Sequence, residues 1–208
     1  NVAKKTIFFT LFFPTAFFFS AVYTESLFLF LAVASFYYAR KGEWVKAGIP
    51  AMLLPITRVV GFLFFIPLIY EYLKQKKFKF KKINYKAIYP FFPILGILIL
   101  FVYFSTAATS FNYLEQKNLW SRYLTSPHVA VLNTLEIVSR GDFILALYGL
   151  WNLFVLAGFA FLLIYAIKSK FNFTYIIYML ITVLLPIMSS TLEGIGRFIL
   201  ICFPVFIL

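Results

Sequence analysis

Between Lys5 and Arg40 the only charged side chain is Glu25, and both flanks of that stretch are basic. One bilayer crossing needs about 20 apolar residues, so residues 6–39 exceed one crossing and fall short of two full ones. Basic flanks are held on the cytoplasmic side. The chain is therefore expected to enter a membrane, turn near the far surface around Pro14 to Ser26, and return. The turn carries the polar, acidic sequence S-A-V-Y-T-E-S to that far side.

The whole chain agrees with that start. Its residues are 63% hydrophobic, against about 45–50% for soluble domains, and its mean hydropathy is +0.93. The formal charge of +12 could suggest nucleic acid, but its placement argues against that partner. Seven of the 19 basic residues fall between Lys74 and Lys86, in K-Q-K-K-F-K-F-K-K-I-N-Y-K, between two apolar stretches. Such a run fits a cytoplasmic loop lying on anionic membrane lipids, at roughly 1 kcal/mol per Lys near the surface. Cys202 is the one cysteine and His128 the one histidine. No intramolecular disulfide or cysteine-based metal site can form, and neither a divalent metal nor another cofactor is indicated. The missing initiator Met and the apolar end at Leu208 suggest a piece of a longer chain.

Apolar runs cover residues 6–19, 26–39, 47–73, 87–111, 143–167 and 173–189, and another begins near Phe198. Loop 40–46 sets Arg40, Lys41 and Lys46 against Glu43, and loop 168–172 carries Lys168 and Lys170. Residues 112–142 and 189–197 each balance to zero. The positive-inside rule puts the lysine-rich loops in the cytoplasm and the neutral ones outside. Residues 47–73 then become two half-length helices, each roughly 18 Å long, meeting at I-T-R-V-V-G. The alternative is a single crossing with residues 74–86 outside. Val129, Leu132, Leu135 and Ile137 suggest an amphipathic surface helix from Pro127 to Arg140. The expected fold is all-α, a polytopic transmembrane helical bundle with half-length membrane helices and a small outer-loop amphipathic helix. One transmembrane domain over residues 1–208 is expected.

Glu25 and Arg58 carry the most information, because a charge at a helix centre costs about 2.5–3.5 kcal/mol on insertion scales. They either pair to fix helix packing, or Arg58 holds an anionic group while Glu25 orients it or a sugar. Arg197, in E-G-I-G-R-F, either meets a phosphate through its planar fork or snorkels to headgroups. Trp120 and Arg122 are candidates for binding a substrate in the neutral outer loop, and His128 after Pro127 fits a helix start. No nucleotide-binding glycine loop, nucleophile elbow or histidine-rich metal motif is present.

Together these segments resemble a known family. Residues 12–29, F-F-P-T-A-F-F-F-S-A-V-Y-T-E-S-L-F-L, look like the signature of PIG-V-like (GPI mannosyltransferase II-like) enzymes of the GT-C superfamily. R-K-G-E-W-V-K-A-G through L-P-I-T-R-V-V-G (residues 40–61), the W-S-R of residues 120–122, and L-L-P-I-M-S-S-T-L-E-G-I-G-R-F-I-L-I-C-F-P-V-F (residues 184–206) are similar to its later regions. Two departures stand out: Val59 where relatives often have Pro, and no Gly-Asp pair within Ser105–Thr109.

The resemblance implies transfer of a sugar, typically mannose, from a polyprenyl-phosphate-linked donor to a lipid or glycan acceptor hydroxyl on the non-cytoplasmic face. It implies a catalytic carboxylate upstream of residue 1, so no catalytic residue is expected here. Arg58 and Arg197 would bind the lipid phosphate, with Glu25, Trp120 and Arg122 contacting substrate. The protein would be a multi-pass integral membrane protein, of the plasma membrane in a prokaryote or the endoplasmic reticulum in a eukaryote. Competing expectations are a lipid-linked substrate transporter or flippase, and a non-catalytic scaffold subunit.

Overall fold

Prolines and glycines cut the apolar sequence into helices. Helix α1, Val2–Phe12, stops because Phe13 precedes Pro14 and takes an extended conformation (φ −64°, ψ 135°), as a residue before proline prefers. The expected continuous span over residues 6–19 is thereby corrected: a short 3-10 turn, Ala16–Phe19, replaces its second half. Helix α2 is Glu25–Arg40, α3 is Trp44–Thr57 and α4 is Phe65–Gln75. Between α3 and α4, Arg58 is extended (φ −152°, ψ 129°) and Val59–Phe64 form a 3-10 turn, so the apolar run 47–73 is parted at Arg58. Helix α5, Phe92–Thr106, follows the turn Tyr85–Phe91. Then come α6, Pro127–Ser139; α7, Phe143–Lys168; α8, Phe173–Ile187; and α9, Ile195–Leu200.

In this computed structural model residues 1–79, 81, 83–106 and 123–208 are described, and no strand occurs among them. The chain is all-α in that sense. Residues 107–111 of the expected 87–111 span lie outside the described residues. The expected span from Phe198 is corrected as well. Helix α9 ends at Leu200 and a 3-10 turn, Phe203–Phe206, follows. Continuing the helix would clash the Pro204 ring with the Leu200 carbonyl. Among the described residues two helical stretches are long and apolar enough to cross a bilayer, Tyr85–Thr106 (22 residues) and Phe143–Lys168 (26 residues). Only 17% and 22% of their most apolar windows are buried, whereas a soluble core helix is mostly covered.

The chain divides into two compact units. The α3 unit comprises Phe17–Ser110 and Asn172–Ile181. In it α3 packs on α2 and α5. Gly96 of α5 lies directly on the α3 backbone, so that a Cβ there would overlap the Met52 carbonyl oxygen; small residues permit such close approach between apolar helices. Phe36 sits 4.8 Å from Phe64 and 5.4 Å from both Tyr175 and Tyr178, ring centre to ring centre. Aromatic pairs of this kind add about 0.5–1.5 kcal/mol each beyond area burial. Buried Glu71 accepts from Thr174 Oγ1 at 2.6 Å, and Gln75 Nε2 donates to the Ala39 carbonyl at 2.7 Å.

The α7 unit comprises Asn1–Ala16, Phe111–Phe171 and Thr182–Leu208. Asp142 caps α7 by accepting from the Leu145 N–H at 3.0 Å. Helix α6 lies close along α7: a Cβ on Gly149 would come within 2.8 Å of Val138 Cγ2. The residues of α6 that pack inward are Ala130 and Thr134, whereas Leu132 and Leu135 are exposed. The apolar spacing read from sequence therefore marks an outer surface, and small side chains make the helix contact.

Candidate functional site

In the α3 unit, two expected residues meet. Glu25 opens α2, where a carboxylate is favoured by the helix dipole. Arg58 stands where α3 ends: its N–H still donates to the Leu54 carbonyl at 3.0 Å, and its extended backbone turns the side chain toward α2. Arg58 Nη1 donates to Glu25 Oε1 at 2.7 Å, with the Glu25 side chain fully buried and the Arg58 side chain 12% exposed. Removing one partner from such a buried pair costs about 3–5 kcal/mol, because the other charge is left uncompensated. The pairing expected from insertion cost is present, and its geometry is that of a helix clamp.

In the α7 unit, polar side chains converge on a cleft of about 140 Å³, lined by Thr134, Leu145, Tyr148, Asn152, Thr191 and Glu193 among others. The segment ending in Thr191 is tied to α6: Asn133 Nδ2 donates to the Ser190 carbonyl at 2.9 Å, and the Thr125 N–H donates to the Met188 carbonyl at 2.8 Å. Gly194, at φ +73°, takes a left-handed turn that costs glycine little. Its N–H donates to Tyr148 Oη at 3.2 Å. Thr191 Oγ1 is buried without a hydrogen-bond partner. Asn152 is 2% exposed and lines the cleft. A buried polar group left unmatched costs about 1–3 kcal/mol.

On the next turns of α7 the lining changes character. Trp151, Phe154, Val155, Gly158, Phe159 and Leu162 form one wall of an apolar groove of about 270 Å³, closed by Phe13, Pro14, Ile199 and Val205. Asn152, Val155, Phe159 and Leu162 follow at helical spacing, so one face of α7 carries both the polar cleft and the apolar groove.

Arg197 lies on α9, in sequence between the cleft residue Glu193 and the groove residue Ile199. Its Cδ lies 3.7 Å from where a Cβ on Gly194 would be. The small residues of E-G-I-G-R serve the chain itself: Gly194 makes the turn, and Gly196 makes room for Thr15, whose hydroxyl donates to the Gly196 carbonyl at 3.2 Å. Trp120 and Arg122 lie outside the described residues. His128 is exposed at the start of α6, with Nε2 3.4 Å from Ser126 Oγ. Sequence inspection passed over Tyr148, Asn152, Thr191 and Glu193. A signal was available for one of them, since Asn152 is the only amide, hydroxyl-aliphatic or acidic side chain within α7. No family model matches the chain, and no curated protein or solved structure matches it either.

Proposed function

We propose that the chain belongs to a multi-pass membrane glycosyltransferase of the PIG-V-like, GT-C type, which moves a sugar, mannose by resemblance, from a polyprenyl-phosphate carrier to an acceptor hydroxyl on the non-cytoplasmic face. One observation carries this proposal: a polar cleft and an apolar groove follow each other along a single face of α7, which suits a ligand with a polar head and a hydrocarbon tail. In transfer, the bond from the sugar C1 to the phosphate oxygen breaks and a bond from C1 to the acceptor oxygen forms. A carboxylate takes the acceptor proton, and the polyprenyl phosphate leaves with added negative charge. Fixed cationic donors stabilise such charge best. Arg197, on the element that joins cleft to groove, is assigned to the phosphate. Arg58 is assigned to hold α2 to α3 through Glu25, and it can reach an anion only alongside that carboxylate. Lys74, Lys77, Lys79 and Lys81, exposed beside Phe78 and Ile83, are assigned to anionic headgroups of the cytoplasmic leaflet.

The test is transfer by the full-length protein in lipid nanodiscs, offered either polyprenyl-phosphate mannose or a nucleotide sugar. Use of the lipid donor alone is expected. Arg197→Ala should lower turnover about 10²–10³-fold, as loss of one transition-state donor does. Turnover with the nucleotide sugar, or full activity in the variant, removes the assignment.

A further inference from the structure

Helix α4 ends in a turn that ordinarily calls for glycine. The Lys77 N–H donates to the Lys74 carbonyl and the Phe78 N–H to the Leu73 carbonyl, each at 2.9 Å, the pattern that closes a glycine-ended helix. Yet the residues standing there, both at φ +53°, are Lys77 and Phe78. A left-handed conformation disfavours each of them about 5- to 30-fold. Such residues persist only where their surroundings hold them, and they gather at clamps and switches.

Few contacts hold this turn. Phe78 lies 5.9 Å from Tyr70, ring centre to ring centre, and Tyr70 lies 5.0 Å from Phe173 at the start of α8. The Phe78–Tyr70 pair and the two backbone bonds each favour the turn about 2- to 12-fold. Contacts and strain nearly cancel, so an outside term of modest size decides whether the turn forms.

Charge identifies that term. Seven lysines lie between Lys74 and Lys86, and no acidic residue occurs from Tyr72 to Phe111. The carboxylates of the α3 unit are engaged elsewhere: Glu25 with Arg58, Glu43 with Lys46 and buried Glu71 with Thr174. Lys77, Lys79 and Lys81 are exposed, and among the described residues none of them meets an acidic side chain. Their counter-charge has to come from outside the unit. Through exposed Ile83 and Tyr85 the segment runs into Tyr85–Thr106, which is long and apolar enough to cross a bilayer. That continuity puts the lysines at headgroup depth and favours a lipid surface over an acidic protein.

We propose that the left-handed turn at Lys77–Phe78 is a lipid-responsive latch: anionic phospholipid headgroups supply the counter-charge that keeps it docked on α4 and Phe173, and it opens on a bilayer without them. The inference rests on the headgroup assignment of these lysines and is independent of sugar transfer.

The experiment follows hydrogen exchange at the Lys77 and Phe78 amides of the full-length protein, in nanodiscs of phosphatidylcholine alone or mixed with phosphatidylglycerol. Exchange is expected to slow with phosphatidylglycerol by about 5-fold per lysine engaged, and the effect should fade at high salt. Lys79→Gln with Lys81→Gln should remove about 5-fold of that response per lysine. Lys77→Gly relieves one strained residue, so exchange in phosphatidylcholine alone should slow about 5- to 30-fold and the lipid response should shrink. That variant separates a latch from headgroups that merely cover the amides, since simple cover would leave its response intact. Equal exchange in the two bilayers, equal slowing by inorganic phosphate, an undiminished response in the double glutamine variant, or Lys77→Gly exchanging like the parent overturns the inference. Sugar transfer without a lipid response removes the latch and keeps the transferase. A lipid response without transfer does the reverse.

Discussion

The two units treat their most conspicuous buried polar groups differently. In the α3 unit, Glu25 is fully buried and receives Arg58 at 2.7 Å, while buried Glu71 receives Thr174 at 2.6 Å. In the α7 unit, the buried Asn152 amide faces a cavity and Thr191 Oγ1 has no partner. The first arrangement uses its buried carboxylates to hold helices together, although Ser35 Oγ of α2 is buried without a partner. The second leaves a buried hydroxyl without a partner in the fold. Burial of a polar group is therefore a poor guide to its role until its partners are known.

Glu25→Ala should break that contrast most visibly. Stability is expected to fall by about 3–5 kcal/mol, the cost of stranding a buried charge, read by chemical unfolding in nanodiscs. Exchanging the two residues (Glu25→Arg with Arg58→Glu) should recover part of the loss. No loss in the single variant would remove the clamp. Glycine positions sharpen the same comparison at smaller scale. Gly96→Leu drives a side chain into the Met52 carbonyl, and overpacking of this kind costs about 1–3 kcal/mol. Gly158, on the groove, has nothing within 4 Å of the place a Cβ would take. Gly158→Leu is expected to leave stability equal or up to about 1 kcal/mol higher through helix propensity. Equal effects of the two leucines on unfolding would erase the distinction. Asn152→Leu, which removes a buried polar group lining the cleft, should raise stability by about 1 kcal/mol or leave it unchanged; a clear loss would mean that the amide holds the fold together.

Much of the α3 unit was legible from sequence. Pro55, Arg58 and Gly61 signalled the break between α3 and α4, and the insertion cost of two charges in apolar surroundings made a Glu25–Arg58 pair one of the two arrangements expected. Both arguments use local backbone rules and a large energy. The cleft had neither. Asn152 and Thr191 are far apart in the chain, and Thr191 reaches α6 and α7 only because Asn133 and Thr125 fasten residues 188–190. No periodicity encodes such a meeting. The exposed Leu132 and Leu135 agree with an amphipathic helix whose apolar stripe faces a membrane surface, but that stripe does not say which residues of α6 meet α7. Pro204 was readable and was overlooked, since it forbids a helix running on from Phe198.

The smallest effect concerns a pair that belongs to neither class. Glu43 and Lys46 meet at 2.7 Å at the start of α3, with both side chains well exposed. The hydrogen bond from Lys46 holds the Glu43 carboxyl below its usual value of 4.5, and the same bond holds the Lys46 ammonium above 10.5. A lowered carboxyl contributes stability that is complete above about pH 4.5 and is lost as pH falls through its folded value. The raised ammonium contributes below about pH 10.5 and is lost as pH rises through its own. Between those limits the pair gives no pH dependence, and water screens what it does give. Lys46→Met should move the Glu43 titration midpoint upward in a carboxyl NMR titration while the unfolding midpoint at pH 7 stays put. A large stability loss there would mean that exposed charges, and not only the buried Glu25–Arg58 clamp, hold α2 to α3.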